Sequence, residues 1–218
     1  MRFKGVLFDL DGTLLNTIDD LADTMNDILS RRNLHTFTSE EYKKLVGGGT
    51  ETLVYNVLPE RVRTDENIKE IMAELLNEYI RNCMNKTRPY EGISELLDVL
   101  TERKIKVAVF SNKNDDLTKI MVRELLPKWN FIDVVGAKKD RPIKPDCTIA
   151  LQIAEKMRLM PVEVAFLGDS DLDMQTAVSA GMYPVGAVWG YRSADELMSN
   201  GARELISHPS ELLKLIID

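Results

Sequence analysis

The sequence predicts an α/β protein: a doubly wound, mostly parallel, Rossmann-like sheet with a small all-helical domain inserted after the first strand. Three observations predict it. A short apolar run, Val6-Leu7-Phe8, opens the chain and ends at Asp9-Leu10-Asp11-Gly12-Thr13. From Pro89 onward, apolar strand runs alternate with helical repeats, the pattern of a parallel sheet with helices on its faces. Between these, from about residue 16 to residue 84, every periodic stretch is helical and no convincing strand interrupts it.

Val6 to Phe8 reads as a buried strand, because a brief apolar run entering a Gly turn suits a parallel sheet. Helical spacing follows in Ile18, Leu21, Met25, Ile28 and Leu29, with Asn16 or Thr17 available as the cap. Thr38 and Glu41 have capping-box spacing ahead of Tyr42 and Leu45-Val46. Gly47-Gly48-Gly49 then forms a flexible turn whose N–H groups can meet an anion, making Gly48 and Gly49 candidates for substrate contact. Thr50 to Leu58 is a helix stopped by Pro59, and Ile68 to Cys83 carries a long apolar stripe on another.

Beyond Pro89, Ile93 to Leu100 marks a helix and Ile105 to Phe110 a strand ending at Ser111-Asn112. Leu117 to Leu126 is a helix, Phe131 to Val135 a strand, and Ile149 to Met157 a helix. Val164 to Leu167 is a strand ending at Gly168-Asp169. A helix follows, closing on Gly181, and then a strand from Pro184 to Val188. Two short helices, around Ala194–Met198 and Ser210–Ile217, flank a weak strand near Leu205-Ile206.

With 44% hydrophobic and 29% charged residues, the chain can bury a core. A net charge of −7 argues against nucleic acid or an anionic membrane as partner. The two cysteines, Cys83 and Cys147, sit in helical patterns without a CxxC and read as buried thiols. The two histidines, His35 and His208, lie apart from other reactive groups, leaving no material for zinc or serine–histidine chemistry. No signal-peptide layout or membrane-length apolar run is seen, so the expected location is cytoplasmic.

Ligands of open α/β sheets bind outside the carboxyl ends of the strands. Those ends carry Asp9 and Asp11, then Ser111, Asn112 and Lys113, then Arg141 and Lys144, then Asp169, Ser170, Asp171 and Asp173. Lys113 and Arg141 read as surface cations, and Trp129 and Trp189 as packing residues. Clustered carboxylates raise one another's pKa unless a cation joins them, and hard oxygen ligands suit magnesium. These parts fit phosphoryl transfer. A carboxylate can accept the phosphoryl group, Mg2+ and Lys144 can hold its charge, and the Ser111 hydroxyl can orient its oxygens. Asp11 can protonate the leaving alkoxide and later activate water.

In this order, Asp9-Leu10-Asp11-Gly12-Thr13, Ser111-Asn112, Lys144-Pro145 and Gly168-Asp169-Ser170-Asp171-Leu172-Asp173 resemble the four motifs of the haloacid dehalogenase-like superfamily. The resemblance spans essentially the whole chain. The helical insert matches that family's cap in position and length. Asn16 to Leu21, Gly47 to Thr50, Pro89 to Gly92 and Ala177 to Gly181 are similar to its phosphoglycolate phosphatase-type members.

The resemblance implies a catalytic core of residues 1–15 and 86–218 and a helical cap of residues 16–85. It implies that Asp9 is nucleophile and metal ligand, and that Asp11 is general acid/base and offers its carbonyl to the metal. Ser111, Asn112 and Lys144 would bind phosphate, Asp169 would ligate Mg2+, and Asp173 would support the metal site or Lys144. Asp171 reads as a solvated helix-start acid. The expected partner is a small phosphorylated metabolite, phosphoglycolate-like, enclosed by the cap, with the protein a monomer or homodimer. A phosphomutase of compact sugar phosphates and a non-catalytic binding protein are alternatives on the same scaffold. A dehalogenase is a further one, but it would leave Asp11 and the Asp169/Asp173 pair unexplained.

Overall fold

The computed structural model describes residues 3–217. In chain order the elements are β1 (Gly5–Phe8), β2 (Leu15–Asn16), α1 (Ile18–Arg31), α2 (Ser39–Leu45), α3 (Gly49–Val57), α4 (Asp65–Asn82), β3 (Arg88–Pro89), α5 (Ile93–Glu102), β4 (Lys106–Asn114) and α6 (Asp115–Leu125). There follow β5 (Val134–Ala137), α7 (Thr148–Met157), β6 (Val164–Gly168), α8 (Asp171–Ala180), β7 (Tyr183–Ala187), α9 (Ala194–Ser199), β8 (Glu204–Ile206) and α10 (Leu212–Ile217). The chain divides into two compact units. One runs to Asn16 and resumes at Pro89, and the other is Thr17–Arg88.

The first unit holds a six-stranded sheet in the order β5-β4-β1-β6-β7-β8. Its pairings are all parallel, with Phe8 opposite Val109 on one side and Leu167 on the other. Val6, Leu7 and Phe8 are each fully buried, so both faces of β1 are covered, as a parallel strand requires. On one face Leu7, Phe110 and Phe166 pack with Ile149, Ile153 and Met157 of α7 and Ala177 and Ala180 of α8. Burying such side chains contributes about 1.5–3 kcal/mol each. Strand order reverses between β1 and β6, which makes the carboxyl end of β1 the switch point of the sheet.

The second unit is helical apart from its end at Arg88. Within it α1 packs against α4, burying Met25, Ile28, Leu29, Ile71 and Leu75. The capping box at α2 forms as the sequence predicts: Thr38 Oγ1 accepts from the Glu41 N–H and Glu41 accepts from the Thr38 N–H. Thr17 stands at the N-cap of α1 but makes no side-chain cap bond. Gly48 is the N-cap of α3 and Gly49 its first residue, so part of the predicted glycine turn is already helix.

The two-residue strands β2 and β3 had no counterpart in the sequence reading, and β5 and β4 depart most from their predicted bounds. β5 begins at Val134, not Phe131, because Ile132 is exposed and the buried pattern starts only after it. β4 runs on to Asn114 rather than stopping at Phe110, with a register shift between these two residues. The polar extension persists because its side chains find partners, described next. No helix among the described residues is long and apolar enough to cross a membrane.

Candidate active site

Asp9 follows β1 directly, and its N–H donates to the Leu167 carbonyl of β6 at 3.0 Å. The chain then turns tightly, with the N–H groups of Thr13, Leu14 and Leu15 all donating to the Leu10 carbonyl. Gly12 makes this turn at φ +84°, a left-handed conformation that favours glycine. A Cβ there would lie 2.2 Å from Asp169 Oδ2.

Three acids converge at the switch point: Asp9, Asp169 and Asp173 each offer a carboxylate oxygen within 4.8 Å of the others. All three are buried, as is Lys144. Lys144 Nζ lies 2.8 Å from Asp9 Oδ1 and donates to Asp173 Oδ1 at 2.6 Å. Asp9 Oδ1 nevertheless has no partner in hydrogen-bonding geometry. The Lys144 backbone is fixed by Asn112, whose Oδ1 accepts from the Lys144 N–H at 2.8 Å while its Nδ2 donates to the Lys144 carbonyl at 3.0 Å. Asn112 thus uses its amide group to position Lys144. Ser111 is buried beside it, and its Oγ accepts from the Lys113 N–H.

Asp173 has both oxygens committed. Oδ1 takes Lys144, and Oδ2 takes the Ser170 N–H and hydroxyl in the capping box that starts α8. Asp169 accepts from the Thr13 hydroxyl at 2.9 Å on Oδ1 and from the Tyr191 N–H at 2.8 Å on Oδ2. Gly190 lets this loop approach, since a Cβ there would sit 2.2 Å from Asp169 Cβ. Gly168 plays the same part against Asp173. Thr13, Gly190 and Tyr191 carry no charge and escaped the sequence reading. The only signal was that Thr13 belongs to the first motif.

The buried acid group holds Asp173 beside Asp9 and Asp169, while the Asp11 carboxylate, whose carbonyl was the expected metal contact, pairs with Lys113 at 3.0 Å. Lys113 is therefore not a surface cation: its side chain is 9% exposed. Arg141 lies 3.5 Å from Asp115, in a group with Lys119 and Lys138. Asp171 stands at the start of α8, and Arg192 Nε is 4.0 Å away. Trp189 donates from Nε1 to the Thr13 carbonyl, and Trp129 to Asp98. Gly48 and Gly49 lie in the helical unit.

Electrostatics follow from this packing. Burial, then repulsion from Asp173, raises the Asp9 carboxyl well above its ordinary range, with Lys144 opposing. Burial and Asp173 likewise push Asp169 up to about 7, against the bonds from Tyr191 and Thr13. Burial alone would lower the Lys144 ammonium, but Asp173 and Asp9 outweigh it and hold it above its usual value. Three carboxylates and one ammonium give a formal charge of −2 in a buried space. A divalent cation matches that charge, and the all-oxygen donor set is that of a hard ion. Asp9 Oδ1, which has no hydrogen bond of good geometry, and the glycine cradle around Asp169 fit the same group. With its oxygens on Lys144 and Ser170, Asp173 would support such an ion rather than ligate it.

A doubly wound sheet thus carries buried carboxylates and a lysine at its switch point, a donor set that suits a divalent metal. The family model of the haloacid dehalogenase-like hydrolases matches residues 6–187, and the chain belongs to that family. The phosphoglycolate phosphatase of Aquifex aeolicus is 30% identical over 211 residues, covering 97% of this chain and 95% of its own. The N-acetylmuramic acid 6-phosphate phosphatase of Pseudomonas putida is 26% identical over 217 residues, covering 99% and 97%. A crystal structure of a candidate phosphoglycolate phosphatase from Lactobacillus delbrueckii subsp. bulgaricus superposes with a TM-score of 0.92 at 27% identity, covering 99% of each chain. The chain is a phosphatase-type member, a phosphoric monoester hydrolase with a helical cap.

Proposed function

We propose that the protein is a Mg2+-dependent phosphatase that hydrolyses a small phosphomonoester, phosphoglycolate or a close analogue, through an aspartyl-phosphate on Asp9. The observation that carries this reading is the buried −2 group of Asp9, Asp169, Asp173 and Lys144, in which the Asp9 carboxylate, among the described residues, meets a cation only at Lys144 and with poor hydrogen-bond geometry. The phosphoglycolate phosphatase of Aquifex aeolicus supports the choice of substrate.

Asp9 attacks phosphorus, and the bond to the leaving alkoxide breaks. Asp11 gives that oxygen a proton, then takes one from the water that cleaves the acyl phosphate and releases inorganic phosphate. Lys144 holds negative charge on the phosphoryl oxygens, and Ser111 donates its O–H to one of them. Asp9, Asp169 and the Asp11 carbonyl would hold Mg2+, which would supply further positive charge and favour the ionised Asp9 carboxylate. Asn112 keeps Lys144 in place. Cys83 and Cys147 form no disulfide among the described residues, which suits the reducing cytoplasm.

The test is Asp9→Asn with the parent as control. An amide is a poor nucleophile, so kcat on phosphoglycolate is expected to fall at least about a thousandfold with the circular dichroism spectrum retained. Turnover within tenfold of the parent overturns the nucleophile assignment. Comparing kcat/KM for phosphoglycolate, compact sugar phosphates and phosphopeptides tests the substrate class. Preference for phosphopeptides overturns it, and interconversion of sugar phosphates without phosphate release identifies a mutase instead.

A further inference from the structure

We propose that Lys113 is a positioning residue for the reaction, fixing the proton donor Asp11 through its ammonium and the phosphate-binding Ser111 through its peptide N–H. The proposal rests on the reading of Asp11 as general acid/base.

Lys113 Nζ lies 3.0 Å from Asp11 Oδ1 and 3.3 Å from Oδ2, so one ammonium spans both oxygens. An isolated aspartate side chain turns freely about its last bond, whereas a two-oxygen contact selects one orientation. The side chains are 9% and 23% exposed, so water screens this pair less than a surface pair. On the main chain, the Lys113 N–H donates to Ser111 Oγ at 3.2 Å. With a lone pair so occupied, the Ser111 O–H hydrogen remains to donate elsewhere, as a phosphoryl oxygen requires.

The Lys113 backbone is itself held. Its carbonyl accepts from Thr118 Oγ1, and Gly136 of β5 packs so closely that a Cβ there would lie 2.6 Å from that carbonyl oxygen. Lys113 therefore starts from a fixed base within the irregular end of β4. Its ammonium draws the Asp11 carboxylate out of the Asp9–Asp169–Asp173 group, which keeps the acid/base oxygen apart from the nucleophile and the metal-binding acids.

The experiment compares the parent, Lys113→Met, Lys113→Arg, Asp11→Asn and the Lys113→Met/Asp11→Asn double variant. The probes are 4-nitrophenyl phosphate, whose leaving group needs no proton, and the best alkyl phosphate of the substrate panel. Lys113→Met is expected to lower kcat/KM, which reports the phosphorylation step, about 10- to 100-fold on the alkyl phosphate and less than about threefold on the aryl phosphate, with KM within about threefold. Lys113→Arg, which keeps the charge, should recover much of the alkyl activity. The double variant should lose no more than Asp11→Asn alone, since both act through one group.

Equal losses on both probes, a change in KM alone, or additive losses in the double variant overturn the proposal. Should Lys113→Met not fold, Lys113→Gln is held to the same criteria. If Asp11→Asn itself loses kcat/KM equally on both probes, the acid role of Asp11 falls. If Asp11→Asn discriminates between the probes and Lys113→Met does not, only the role of Lys113 falls.

Discussion

Asp169 is held by one hydroxyl and one peptide N–H, from Thr13 and Tyr191. Thr13 is fully buried, so its bond to Asp169 competes with no water from bulk. Groups that orient a metal ligand typically change metal affinity about 10- to 100-fold when removed. Thr13→Val keeps the volume and deletes the donor. It is expected to weaken Mg2+ binding by that factor, measured by isothermal titration calorimetry, while leaving the circular dichroism spectrum intact. Unchanged affinity would mean that the Tyr191 N–H alone orients Asp169. The same residue shows why uncharged neighbours matter here: Gly12 and Gly190 are tolerated on either side of Asp169 because neither has a Cβ to collide with it.

At the scale of the element, α6 begins on Asp115, a buried carboxylate that accepts from the Gly136 N–H of β5 and pairs with Lys119 and Lys138. Burial works to raise its pKa, but the bonds from Lys119, Gly136 and Lys138 win and hold it at about 2, below the ordinary 3.8. A carboxyl lowered by folding stabilises the native state above its unfolded pKa, and that stability disappears as pH falls through the folded value. Asp115→Asn is therefore expected to cost about 2 kcal/mol at pH 7 by urea denaturation. The gap to the parent should narrow as pH drops from about 4 toward 2, and a gap independent of pH would remove the ion pairs as its source.

Elements with local causes were legible in sequence. The Thr38–Glu41 capping box and the apolar run Val164 to Leu167 are examples, because each is specified by neighbours in the chain. The polar end of β4 was not, since Asn112 is stabilised by Lys144 and Lys113 by Asp11, partners far away in sequence. For the same reason Lys113 read as a surface charge and Gly190 gave no signal. The acids of the site stood out because clustered charge without a partner is costly. The groups that hold them did not, because a threonine, a glycine or a peptide N–H has no cost until the fold brings it there.

Across the whole molecule, the site trades stability for readiness to bind a cation. Folding raises Asp169 from 3.8 to about 7 and raises Asp9 as well. Between those limits the folded state keeps protons that the unfolded chain releases, so stability of the metal-free protein falls as pH rises from about 4 to 7. A divalent ion bound only by the native state reverses this by about 2.7 kcal/mol at a hundredfold excess over its Kd. For a chain of this length that corresponds to about 5–10 °C in Tm. The expected outcome is a metal-free protein that melts lower at pH 7.5 than at pH 5, and recovers at pH 7.5 when Mg2+ is added. Asp169→Asn should melt higher than the parent at pH 7.5 without metal, because it removes a buried charge, and should lose the Mg2+ shift. Calorimetric scans of both proteins with and without Mg2+ check this. If the difference in Tm between parent and Asp169→Asn is the same at pH 5 and pH 7.5, the buried carboxylates are not the source of the pH dependence, because protonation of Asp169 would have made the two proteins alike at the lower pH.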